Sequence, residues 1–217
     1  LYHVMVMHAY LVLGVPDSSF KWVSYFSMIA YQCSDDIFSL AELEHCIIRA
    51  QMSSPSQFVA KFALPKSHYR FELARSKRSS PTELDFRINF ALNCGSMTNP
   101  RSVPIYKANI LSEQLNSSMR EYVSKSVKVT RNPKSGNINV TLPRVCSWYA
   151  ADFSRGRPMD VFSLVFPYLP EDAKNILSKA QSEGTFSQRG SLQFSFSSYD
   201  YKCRQLVLRK EAKEGEA

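Results

Sequence analysis

Residues 127–142 constrain the fold of this chain more than any other stretch. Val127 and Val129 alternate with polar neighbours, and so do Ile138, Val140 and Leu142. Between the two runs, Asn132-Pro133-Lys134-Ser135-Gly136-Asn137 supplies turn residues. A period of two puts every apolar side chain on one face, so the stretch predicts a β-hairpin whose apolar face needs a cover. Helices are available on both sides. Leu111, Leu115, Met119 and Tyr122 form one stripe at helical spacing, on a helix that Asn109 caps and that runs to about Ser124. After the hairpin, Pro143 opens a short helix with Trp148, Tyr149 and Phe153, and Met159 to Tyr168 reads as another apolar helix. Pro170-Glu171-Asp172 starts a further helix to about Ser182, with its acids at the positive end. Leu192, Phe194 and Phe196 alternate as a late strand. Together these features predict an α+β fold with helices packed on a small, mainly antiparallel sheet.

The first half adds to the same plan. Leu1 to Leu13 reads as a buried helix ended by Gly14 and Pro16. Ile29-Ala30-Tyr31-Gln32 and Ile37-Phe38-Ser39 read as short strands around a Ser34-Asp35-Asp36 turn. Ser39 then caps a helix from Leu40 to about Ala50, with Leu40, Leu43, Ile47 and Ile48 at helical spacing. Residues 51–85, with aromatic Tyr69 and Phe71, read as a long loop with local structure that either carries function or is an insertion or irregular connector. The apolar run Arg87 to Cys94, closed by Gly95, fits a buried central strand. With no internal repeat and no linker, residues 1–208 are predicted to form one domain, followed by a charged tail at 209–217.

Composition narrows the function classes. Hydrophobic residues make up 44% of the 217 and charged residues 21%, which excludes a disordered chain. The net charge is +8, but the basic residues are dispersed and the one tight group is Arg75-Ser76-Lys77-Arg78. No basic helix stripe or ribonucleoprotein-type aromatic motif accompanies it. A solvated loop is therefore expected in place of a nucleic-acid surface, with contact between 66–78 and acidic partners as a minor reading. The five cysteines are odd in number and lack any CxxC pair, which argues against structural zinc and for a reducing, cytoplasmic compartment. His3 and His8 are five apart, on different helix faces, so no metal site is expected. No phosphate-binding or dinucleotide-binding glycine motif is present, and no cofactor is expected. The apolar first 15 residues are too short to span a membrane and lack the basic and small-residue marks of a signal peptide. The chain starts at Leu1 without an initiator methionine, so it is expected to be part of a larger protein.

The chemistry-bearing candidates are few. Cys94, beside Gly95 at the expected end of a strand, is either a nucleophile activated by a base or a small buried side chain. His8 and His45 are the candidate bases, and each is equally open to a structural role. Glu44 and its neighbour His45 are expected about 100° apart on a regular helix, which leaves Glu44 to orient His8. Trp148, Tyr149 and Phe153 read as a core anchor. Phe20, Trp22, Tyr25 and Phe26 read as core filling, with an exposed partner patch as the alternative.

Several segments, in order, resemble the domain of unknown function 547 family. They are Leu1-Tyr2-His3-Val4-Met5-Val6-Met7-His8-Ala9, Phe38-Ser39-Leu40 with Glu44-His45 and Ile48-Arg49, and the central Arg87-Ile88-Asn89-Phe90-Ala91-Leu92-Asn93-Cys94-Gly95-Ser96. Val103-Pro104-Ile105-Tyr106, Trp148-Tyr149 with Asp152-Phe153, and Ser198-Tyr199-Asp200 extend the resemblance over almost the whole chain. The chain departs from the family at Asn89, where many members have His, and at Thr98-Asn99-Pro100-Arg101, where many have a second Cys and two prolines. His3 stands for the family's early Asn. The resemblance implies a fold and no established reaction. Because two polar family positions differ, the leading expectation is an intracellular interaction or adaptor module with a protein partner. The alternative is a cysteine-dependent hydrolase or transferase using Cys94 with His8 or His45.

Overall fold

The computed structural model describes residues 1–49, 52–56, 85–153, 156–187 and 190–203. The sequence readings placed on Tyr69, Phe71, the basic group at 75–78 and the tail at 209–217 lie outside the described residues.

The chain is an α+β fold. Helix α1 spans Tyr2–Leu13 and ends at Gly14, whose φ of 79° a side chain would resist. Tyr2, Met5, Val6 and Ala9 are buried, at the spacing of one helix face. The expectation of a wholly buried helix is corrected here: Val4 and Leu11 are each 66% exposed, and Leu1, Val12 and Leu13 also face outward. Helix α2, Ser19–Met28, is capped by Ser18, whose side chain accepts from the Lys21 backbone N–H. Its aromatic-rich sequence carries no helix signal of its own. Strands β1, Ala30–Cys33, and β2, Asp36–Ser39, pair antiparallel around the expected turn.

Ser39 forms a capping box with Glu42, each side chain bonding the other's backbone N–H. The capped α3, Leu40–Glu42, then widens into a π-helical turn over Leu43–Ile48. The expected strand at 87–94 is instead a short helix, α4, Ile88–Ala91, followed by extended backbone at Leu92. Its apolar run is too short for periodicity to separate a strand from a buried helical turn. Phe90 and Ala91 are buried in either form.

Helix α5, Leu111–Ser126, buries Leu115, Met119, Tyr122 and Val123, whereas Leu111 is exposed. A 3₁₀ turn at Ala108–Ile110 precedes it, so Asn109 does not cap it; Ile110 is the residue at its start. The hairpin forms as expected from β3, Lys128–Arg131, and β4, Ile138–Leu142, with Val129 opposite Val140. Helices α6, Arg144–Trp148, α7, Pro158–Val165, and α8, Glu171–Ser182, follow. Strand β5, Leu192–Phe196, returns to pair parallel with β4, Ile138 opposite Leu192. The strands thus form two small sheets, β1–β2 and β3–β4–β5.

Among the described residues two apolar clusters result. One joins β3, β4 and α5 to α8 around Met119, Tyr122, Val140, Leu142 and Phe153. The other joins α1, α2 and α3 around Val6, Phe26 and Leu40, with Leu92 and Cys94 packed against it. Among the described residues no helix is long and apolar enough to cross a membrane.

Candidate functional site

The two clusters meet around a cavity of about 130 Å³. Tyr2, Trp22 and Phe26 line it from one cluster, and Val145, Trp148 and Tyr199 from the other. Glu44, His45, Arg49, Asn89, Cys94 and Asn99 are its polar lining.

Beneath the cavity lies a sealed polar network. Arg49 Nη2 donates to Asp152 Oδ2 at 2.9 Å, and both side chains are almost wholly buried. Arg49 Nη1 donates to Asn89 Oδ1. The Asn89 amide donates in turn to Asp152 Oδ2 at 3.2 Å, and the Ser53 N–H donates to Asp152 Oδ1 at 2.7 Å. The Arg49 guanidinium also lies 3.6 Å from the centre of the Tyr149 ring. Asn89 accepts and donates at once, a double role that an amide meets with no change of protonation. The departure at this position therefore retains a working polar contact.

Glu44 and His45 share one wall. Tyr2 Oη donates to Glu44 Oε2 at 2.6 Å, and His45 Nε2 stands 3.7 Å from Glu44 Oε1. This corrects the expectation that the pair cannot share a face: the two side chains meet although adjacent, on a π-helical turn that stands in place of the regular helix. Burial, aided by the Arg49 charge and opposed by Glu44, lowers the His45 pKa and favours a neutral imidazole.

Cys94 sits in the loop after α4. Its Sγ lies 3.0 Å from Asn99 Oδ1, to which the thiol donates, and 3.3 Å from Tyr199 Oη. Burial pushes its pKa up to about 12; the Tyr199 hydrogen bond opposes this, and the Glu44 charge adds to it. The loop is fixed from several sides. Tyr10 Oη donates to Cys94 O at 2.7 Å, Gly95 N–H donates to Asn93 Oδ1 at 2.9 Å, and Asn93 N–H donates to His3 Nε2 at 3.1 Å. Gly95 has φ of 81°, and a Cβ there would come within 3.0 Å of the Tyr10 ring.

Of the sequence candidates, Cys94, His45 and Glu44 are brought to one cavity and His8 is not. His8 Nδ1 lies 2.9 Å from Tyr31 Oη on the exposed side of α1. Tyr31 donates its hydroxyl proton to Met5 O at 2.8 Å, which leaves His8 Nδ1 as the donor. Glu44 thus faces His45 and Tyr2, and His8 lies elsewhere. Sequence reasoning did not single out Asn99, Tyr199, Trp22 or Tyr201 as site residues. Tyr199 lay in the Ser198-Tyr199-Asp200 segment and Asn99 in the departure from the second-cysteine segment, and both were signals. Among the described residues no group of three His, Cys, Asp or Glu side chains is gathered to hold a metal ion.

The segments that resembled a family converge on this cavity: Glu44-His45, Cys94, Trp148-Tyr149 and Tyr199 all line it. None of the curated proteins and none of the solved structures matches the chain. The profile of the family described as "Protein of unknown function, DUF547" matches residues 1–123, a span that contains Glu44, His45, Cys94 and Asn99. With more than half of its length matched, the chain belongs to the DUF547 family.

Proposed function

We propose that residues 1–208 form a binding module of an intracellular protein, which takes a ligand, or a side chain of a protein partner, into the cavity around Cys94. The observation that carries this reading is the state of the Cys94 thiol. It donates to Asn99 Oδ1 at 3.0 Å, and its pKa is pushed up to about 12. A cysteine nucleophile works as the thiolate, which a base or positive charge normally supports. Here Glu44 adds negative charge, and burial favours a neutral His45. Alkylation of each cysteine by iodoacetamide, followed across pH with sites assigned by mass spectrometry, tests the reading. Cys94 should react slowly, its rate still rising at the highest pH reached. A plateau with a midpoint below the free-thiol value of about 8.5 overturns it.

The convergence of Cys94, His45 and Glu44 on one cavity favours a second reading, a thiol-dependent hydrolase or transferase. In it, Cys94 gives its proton to His45 and attacks an acyl carbon. The imidazolium protonates the departing group, and water or another acceptor then cleaves the thioester. Glu44 orients the ring. A burst of product with an acyl group retained on Cys94 supports this reading, and full reactivity in Cys94→Ala removes it.

A further inference from the structure

Resting on the reading of this domain as a cavity-binding module, we infer that the cavity takes a small organic cation, a methylated or quaternary ammonium group, held against aromatic faces with Glu44 as its counter-charge.

The aromatic wall is continuous. Trp148 and Tyr199 have ring centres 4.8 Å apart, Tyr199 and Tyr201 4.9 Å, and Trp22 and Tyr201 5.8 Å. Their planes are inclined at 46°, 60° and 71°, so the rings do not close on one another as a flat stack. All four line the cavity, and they come from α2, α6 and the segment after β5. Electron-rich ring faces around a cavity attract alkylated ammonium groups, whose charge is spread over carbon and weakly hydrated. Another lining ring already holds one cation, since Arg49 stacks on Tyr149 at 3.6 Å.

The charges select the same class. Arg49 is matched by its ion pair to Asp152. Glu44 remains, with a side chain 19% exposed and the His45 ring 3.7 Å away. Burial favours the neutral form of that histidine. Among the described residues around the cavity, one positive charge stands against two negative. An anionic ligand would add to this charge, and an apolar one would cover the Glu44 carboxylate without compensating it. A bare ammonium needs several acceptors for its N–H groups. Asn99 Oδ1 already accepts from Cys94 and Ser96, and Glu44 Oε2 from Tyr2. A group with few or no N–H donors suits such a site. The size agrees: an apolar cavity of about 150 Å³ holds a benzene ring, and a trimethylammonium head is of that order.

Both tryptophans of the chain, Trp22 and Trp148, line the cavity, so intrinsic fluorescence reads its occupancy directly. The full chain is titrated with tetramethylammonium, with choline, and with 3,3-dimethyl-1-butanol, the neutral isostere of choline, at constant ionic strength. Saturable change with the two cations, at least about tenfold weaker with the neutral isostere, is the expected result. Glu44→Gln and Tyr201→Leu, each checked by circular dichroism for native content, should weaken choline about tenfold. A trimethyllysine peptide and its unmethylated form then separate the sources. Preference for the methylated peptide over choline assigns the group to a protein partner, and the reverse order assigns it to a free small molecule. Equal binding of choline and its neutral isostere overturns the cation assignment while leaving a binding cavity in place. An unchanged choline affinity in folded Glu44→Gln, or no saturable response to any cation, overturns it as well. Failure of the underlying module reading shows separately, as an alkylation plateau for Cys94 at low pH.

Discussion

The Arg49 guanidinium and the Asp152 carboxylate are bonded at 2.9 Å, although their side chains are only 1% and 0% exposed. Removing one member of such a pair leaves the other charge buried alone, so Asp152→Ala should cost about 3–5 kcal/mol. Replacing both residues by apolar ones of similar size, Arg49→Met with Asp152→Leu, should cost much less than the sum of the single changes. Urea unfolding of the parent, Asp152→Ala, the two single apolar variants and their double measures these costs. A loss below about 1 kcal/mol in Asp152→Ala would show that the pair is not sealed from water.

Alkaline stability should be limited by buried thiols. Burial raises the pKa of Cys94, to about 12, and that of Cys146 as well. The unfolded thiols ionise first, near pH 8.5, so above that pH the unfolded chain holds fewer protons and stability falls as pH rises. The contribution is complete below about pH 8.5 and is lost towards the folded pKa, by at most about 1.4 kcal/mol per pH unit for each thiol. Cys94→Ala should remove about half of this slope between about pH 8.5 and 10, where unfolded tyrosines are still protonated. An identical slope in variant and parent, measured by denaturant midpoints, refutes the shift.

Acid stability has the opposite sign and a different source. Burial lowers the pKa values of His45 and His3 below their ordinary value. The native state then takes up protons later than the unfolded chain as pH falls. Their contribution is present above about pH 6.5 and is lost as pH drops through the lowered folded values. His45→Gln should flatten the fall in Tm between about pH 7 and pH 5. A steeper fall in the variant contradicts a neutral buried imidazole.

The two faces of α1 and the sheet core should respond very differently to substitution. Met119 and Leu142 are fully enclosed, so Met119→Ala or Leu142→Ala should cost about 2–5 kcal/mol. Val4 and Leu11 are each 66% exposed, so Val4→Ser or Leu11→Gln should change stability by no more than about 0.5 kcal/mol. Thermal unfolding compares them. A cost near 2 kcal/mol at Val4 would mean that this face of α1 is covered in solution.

The parts of the fold legible in the sequence were those whose local chemistry and tertiary role agree. The β3–β4 hairpin declared itself through its period of two and its Asn and Gly turn residues, and α8 through Pro170 and its acidic first turn. Ser39 announced itself as a cap, to which the structure adds the reciprocal bond from Glu42. Elsewhere local signals misled. Apolar residues on both faces of α1 suggested full burial, and the short run at 88–92 could not distinguish strand from helix. The π-helical turn that carries Glu44 and His45 left no mark in the residue pattern. Of the site, Cys94, Glu44 and His45 were readable as isolated candidates. Their surroundings were not, because Cys94 meets Tyr199 across 105 positions and Trp22 meets Cys203 across 181. Contacts at such separations are set by the packing of the two clusters, which single-chain patterns do not encode.

The parallel pairing of β5 with β4 governs the order in which the molecule can be built. β3 and β4 are joined by a tight turn and can pair on the microsecond scale, whereas Leu192 reaches Ile138 only after α6, α7 and α8 have been laid across the gap. Tyr199 and Tyr201 follow β5 directly and form part of the cavity wall. The cavity wall is therefore incomplete until Tyr199 and Tyr201 are carried back to the hairpin, so one long-range strand pairing decides both the third strand of the sheet and the closure of the site.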